Sequence, residues 1–147
     1  MNWDEYFMGF ARHASLKSKD TTKVGAILVD PDGAVILTGF NGPPKGVRDL
    51  PERFVRPEKY QYASHAEQNL IAFAARRGIM TKDCKVYCTH MPCANCTKTL
   101  IQAGVKEIVH GSGTFQALEE DRKAVQFMCQ EVGIDLREFP GEDEIDF

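Results

Sequence analysis

With 147 residues, 43% of them hydrophobic and 27% charged, the chain has material for one domain, residues 1–147, with a real core. A net charge of −3 argues against a nonspecific nucleic-acid binder, and no apolar run reaches the roughly 18 residues needed to cross a bilayer. A small anionic ligand remains compatible with that charge, because one or two local cations can hold a single phosphate.

The first residues, Met1-Asn2-Trp3-Asp4-Glu5, are acidic where a secretion signal is basic and then apolar. Five cysteines are an odd number, and two of them stand in a C-x-x-C. That usage favours reduced thiols and a metal over a disulfide framework, and with it a cytoplasmic location.

From Asn2 to about Lys17 the apolar residues Trp3, Tyr6, Phe7, Phe10, Ala14 and Leu16 recur mostly every three or four positions, which predicts a helix. Polar Ser18 to Thr22 ends it. Val24 to Val29 is a nearly continuous apolar run suited to a buried strand. The turn signal Asp30-Pro31-Asp32-Gly33 leads into a second strand, Ala34 to Phe40, making a hairpin. The loop Gly39 to Gly46 is shaped by glycines and prolines, and Val47 to Tyr62 reads as a long irregular excursion.

Ser64 is a good N-cap for a helix from His65 to Arg77, with Gly78 as its stop. Lys85 to Thr89 alternates like a strand. Pro92 can start a helix that carries Cys93 and Cys96 and ends at Gly104. A strand from Val105 to His110, a helix from Gln116 to Glu131 and a strand from Ile134 to Glu138 follow, before a solvated acidic end at Glu142-Asp143-Glu144. Helices between the later strands imply parallel crossovers, and so a mixed sheet covered on both faces.

The chemistry concentrates in His65-Ala66-Glu67 and Pro92-Cys93-Ala94-Asn95-Cys96. One imidazole and two thiols make a partial ligand set for zinc, which takes four tetrahedral N/S ligands and keeps one position for water when it is catalytic. Both motifs fall at helix starts, where the dipole lowers thiol pKa values and helps sulfur bind as thiolate. Glu67 is close enough to serve that water without being a ligand. A structural zinc would instead need a fourth protein ligand, for which His90, Cys88 and Cys84 are candidates. Cys84 and Cys88, with Val86 between them, also fit simple burial on one face of a strand, and Cys129 fits the core.

H-x-E followed by P-C-x-x-C is the pattern of the zinc nucleobase deaminases. Ser18-Lys19-Asp20, Val24-Gly25-Ala26, the Gly39–Gly46 loop, Lys59-Tyr60-Gln61-Tyr62 and Ile101 to Glu107 extend the likeness over most of the chain. The sequence resembles the deoxycytidylate (dCMP) deaminases, within the cytidine deaminase superfamily. The resemblance implies a three-layer α/β/α sandwich with a mixed five-stranded sheet. It implies zinc on His65, Cys93 and Cys96, and hydrolysis of dCMP to dUMP and ammonia with Glu67 as the proton carrier. It also implies a homo-oligomer, often a hexamer, with dCTP and dTTP as effectors.

Carried over by position, Asn41 hydrogen-bonds the sugar and the backbone around Ala66 reads the pyrimidine edge. Lys17 stands where the family more often has a phosphate-binding arginine. Phe115 stands where a tyrosine hydroxyl commonly meets the phosphate, and Lys45 or Arg48 on the glycine-rich loop are the local cations able to compensate. Two alternatives follow from those departures and from the zinc motif alone: a deaminase of an unphosphorylated or modified cytosine compound, and a zinc-stabilised module without catalysis. A DNA- or RNA-editing role is disfavoured, because no basic stripe with interleaved aromatics is present.

Overall fold

In the computed structural model the described residues are 1–113 and 119–140. Helix α1 (Trp3–Ser15) is followed by the hairpin β1 (Gly25–Val29) and β2 (Val35–Phe40). A 3₁₀ turn at Pro51–Phe54 and a short helix α2 (Lys59–Tyr62) lead to α3 (Ala66–Arg77). The rest alternates as β3 (Lys85–His90), α4 (Ala94–Gln102), β4 (Glu107–Gly113), α5 (Glu119–Val132) and β5 (Asp135–Glu138). Phe115 and the acidic end at 142–144 lie outside the described residues.

The strands form one sheet in the order β2-β1-β3-β4-β5. β1 pairs antiparallel with both β2 and β3, whereas β3–β4 and β4–β5 are parallel. This is the mixed sheet expected from the strand and helix order. Alternation along the strands sends side chains to two cores. Ala26, Leu28, Val86, Cys88 and Ile108 pack with Leu70 of α3, Leu100 of α4 and Val125 of α5. Ile27, Val29, Tyr87 and Val109 pack with Phe7, Met8 and Ala11 of α1. Helices thus cover both faces, giving the three layers.

Two glycines set how closely the helices approach. A Cβ on Gly25 of β1 would lie 2.0 Å from the Ala11 carbonyl oxygen, and one on Gly39 of β2 would lie 2.9 Å from that of Ala66. Only glycine allows either contact without movement.

The structure differs from the sequence expectations at several element ends. α1 stops at Ser15, two residues before Lys17. The N-cap of α3 is His65, not Ser64, which instead pairs with Gly42 in an isolated bridge. The cap of α4 is Cys93, with the helix beginning at Ala94 rather than at Pro92. β4 runs on to Gly113 because it continues to pair with β3 past a bulge, reaching His90↔Gly113. The segment 47–62 is not wholly irregular: it holds the 3₁₀ turn and α2.

Candidate active site

Helices α3 and α4 present their N-termini to one another across the end of β3. His65 enters α3 as its cap residue, its N–H donating to Gln68 Oε1 at 3.0 Å. Cys93 caps α4, its Sγ accepting the Cys96 N–H at 3.4 Å. Asp121 of α5 accepts the Ala94 N–H at 3.1 Å, so a carboxylate also steadies the positive end of α4. Asn69 ties α3 to the sheet by donating to the Phe40 carbonyl at 2.7 Å.

These anchors bring three ligand atoms together. His65 Nδ1 lies 3.2 Å from Cys96 Sγ and 3.6 Å from Cys93 Sγ, and all three atoms lie within 4.8 Å of one another. Zinc–nitrogen and zinc–sulfur bonds of ordinary length at a tetrahedral angle put N and S roughly 3.6 Å apart. The trio therefore fits one zinc ion. Among the described residues no fourth His, Cys, Asp or Glu joins it. Cys84 and Cys88 are buried in the α3-side core, as expected of alternate positions on one strand face, and His90 Nδ1 contacts Thr89 Oγ1 at 2.9 Å.

Cys93 is drawn down to about 4, chiefly by the Cys96 thiol that donates to it, and Cys96 is pushed up by the same contact. His65 is raised, mainly by its hydrogen bond with the Cys93 sulfur. An imidazole beside a ready thiolate suits a cation.

Glu67, in the first turn of α3, is 4% exposed, and burial pushes its carboxyl up from the usual carboxylate range. The Cys88 thiol donates to its Oε1 at 3.3 Å. A weak donor of this kind orients a carboxylate without neutralising it. In the sequence Cys88 reads only as a core residue or a spare ligand, because this contact needs β3 and α3 to be docked before it exists.

Glu67, His65, Ala66 and Asn41 line one cavity of about 480 Å³, a size ordinary for a small-molecule site. Asn41 is buried, with its Oδ1 accepting the Val24 N–H at 2.9 Å and its Nδ2 donating to the Thr22 carbonyl at 2.8 Å. Lys17 does not line this cavity. It lies with Lys45 on a second one of about 770 Å³, over the glycine-rich loop and the outer side of β2. Arg48 lines neither. Among the described residues the lysine and arginine that do line the Glu67 cavity are Lys59, named in the sequence only as part of the Lys59–Tyr62 family run, and Arg56, which no sequence pattern marked.

The sequence model for the cytidine and deoxycytidylate deaminase zinc-binding region matches residues 1–112. The chain belongs to the cytidine and deoxycytidylate deaminase family. Within it, the chain is similar to the deoxycytidylate deaminase of Mus musculus, with 34% identity over 95% of this chain and 80% of the relative. An uncharacterised deaminase from the luxG 3′ region of Aliivibrio fischeri is 32% identical over 94% of both chains. Among solved structures, the dCMP deaminase of cyanophage S-TIM5 in complex with dCMP and dUMP superposes with a TM-score of 0.74. That pair shares 28% identity over 92% of this chain and 95% of the phage chain. The family matches the expected fold, and its zinc-binding region contains the His65, Cys93 and Cys96 trio.

Proposed function

We propose that this deaminase hydrolyses dCMP to dUMP and ammonia as a single domain spanning residues 1–147. The observation that carries the reading is a buried, thiol-oriented Glu67 lining the same nucleotide-sized cavity as His65, beside a three-ligand zinc site. Held by His65, Cys93 and Cys96, zinc supplies a Lewis acid that lets water ionise near neutral pH. Glu67 takes a proton from the attacking water on a carboxylate oxygen and passes it to ring N3. It then carries the remaining hydroxyl proton to the exocyclic amine, which leaves as ammonia. One carboxylate serves both transfers because each proton it accepts is given back. Burial suits that work, since a raised carboxyl pKa narrows the gap to the groups it exchanges with.

Ala66 and Asn41 are both buried and line this cavity, which supports the reading in which the Ala66 backbone meets the pyrimidine edge and Asn41 the sugar. The tether of the Asn41 amide to Val24 and Thr22 holds it rigid while leaving one N–H and one lone pair for a hydroxyl.

Glu67→Gln tests the role directly. Turnover falls about 10³-fold with zinc content unchanged. Retention of more than a tenth of the activity removes Glu67 from the chemistry. A second reading, deamination of unphosphorylated deoxycytidine, draws support from Lys17 lying off the cavity. Side-by-side turnover of dCMP, deoxycytidine and cytosine separates the two. By family resemblance the working form is a cytoplasmic homo-oligomer, a hexamer, activated by dCTP and inhibited by dTTP.

A further inference from the structure

A dianionic phosphate on the substrate needs a positive group at the cavity, and Lys17, Lys45 and Arg48 do not line it. Among the described residues the lysine and arginine lining are Arg56 and Lys59, three positions apart at the start of α2. Lys59 is held in place. Its Nζ donates to Asp20 Oδ1 at 2.9 Å, with the lysine side chain 16% exposed and the aspartate side chain fully buried. That pair cancels most of the Lys59 charge but leaves two of its three N–H donors for a ligand. Arg56 is exposed, and among the described residues it makes no ion pair. Its guanidinium sits 5.7 Å from the centroid of the Tyr60 ring, which also lines the cavity. Among the described residues Arg56 is therefore the lining cation that is not already ion-paired, and a guanidinium can grip two phosphate oxygens where an ammonium grips one.

We infer that Arg56, supported by the Asp20-pinned Lys59, reads the 5′-phosphate of the substrate and makes this enzyme select nucleotide over nucleoside. This rests on the reading of the chain as a dCMP deaminase and names the group that gives it that preference. The assignment explains how a site with lysine at position 17 can still hold a monophosphate. It also gives a purpose to a buried aspartate that would otherwise only weaken an anion site: Asp20 fixes the lysine that Arg56 works beside.

The zinc-loaded wild-type enzyme, Arg56→Gln and Arg56→Lys are compared on dCMP and deoxycytidine, with the ratio of the two kcat/KM values as the readout. In Arg56→Gln that ratio falls roughly 10- to 100-fold, the scale of one lost charge-assisted contact, mainly through KM for dCMP. Arg56→Lys recovers part of the loss, and inorganic phosphate inhibits dCMP turnover more weakly in the glutamine variant than in the wild type. Arg56 is exposed and outside regular structure, so zinc content and thermal unfolding confirm folded protein in each case. A wild-type ratio preserved in Arg56→Gln overturns the inference while leaving dCMP as the substrate. Selection of deoxycytidine over dCMP by the wild type overturns the underlying reading instead.

Discussion

On one face of the sheet Gly25 lets β1 touch the backbone of α1, and on the other Gly39 lets β2 touch the start of α3. Beyond that shared device the faces diverge. On the α1 side Asp4, Glu107 and Arg137 answer one another's charges. The Tyr87 hydroxyl donates to Asp4 Oδ1 at 2.6 Å, Arg137 of β5 donates to both Asp4 oxygens at 2.8 and 2.9 Å, and the same arginine meets Glu107 at 2.7 Å. On the α3 side a buried carboxylate is met by a thiol, and the ligand atoms of His65, Cys93 and Cys96 face one another within 4.8 Å. Satisfied charges hold elements together, whereas under-satisfied ones remain available to a metal or a substrate. The contrast separates a face built for stability from one built for chemistry.

The largest effect that breaks this contrast comes from the sulfurs. Cys96→Ala removes a ligand from a three-ligand site, so zinc is lost and turnover drops by on the order of 10³-fold or more. The α1 seam does not depend on that ligand. Zinc analysis and dCMP turnover on folded protein check the prediction, and full zinc occupancy in the variant contradicts it.

This division was only partly visible before the chain was folded. The periodic apolar residues of α1, the apolar run of β1 and the stop at Gly78 are local signals, and each element forms there, α1 ending two residues early. His65, Cys93 and Cys96 were legible for the same reason, because each motif lies within a few residues of a helix start. Other features depend on distant partners. Arg137 meets Asp4 across 133 positions and Cys88 meets Glu67 across 21, and no local pattern announces either contact. Lys17 was placed at the phosphate by likeness to a family, but α1 ends before it and the following turn carries it to the neighbouring cavity. Arg56 went unnoticed because a polar, proline-bearing segment looks the same whether it wanders in solvent or folds over a site.

A middle-sized effect sharpens the comparison through the two glycines. Gly25→Ala drives a methyl into the Ala11 carbonyl and the Ser15 backbone, and overpacking of that kind costs about 3 kcal/mol. The folded fraction should keep its kcat, since the clash lies on the α1 face. Gly39→Ala meets Ala66 oxygen at 2.9 Å and Leu70 at 3.3 Å, a milder conflict costing about 1 kcal/mol. Its burden falls on the first residue of α3, so it lowers kcat/KM more than Gly25→Ala does despite the smaller loss of stability. Urea unfolding and steady-state kinetics on both variants check the crossover. The same ranking of the two variants in both assays would mean that the faces are not independent.

The smallest effect belongs to the α1 seam, and its sign with pH is set by two groups. Arg137 holds Asp4 below the usual carboxylate range, so the folded pKa lies under the unfolded value of roughly 3.9. That contribution is present above about pH 4 and is lost as pH falls through the folded value. Burial and the bond to Asp4 push Tyr87 up, so its contribution is present below its unfolded value of about 10 and is lost as pH rises toward the folded one. Among the described residues Lys85, Glu107 and Asp135 are further charges at the seam. Arg137 is 38% exposed, and solvent screening limits Arg137→Gln to a loss of about 1 kcal/mol at pH 7. Urea unfolding at pH 7 and at pH 3 should show that difference shrinking in acid, because protonated Asp4 no longer needs its guanidinium. An equal difference at both values would mean that Arg137 stabilises by packing rather than by charge, and the two faces would then differ less than their hydrogen bonds suggest.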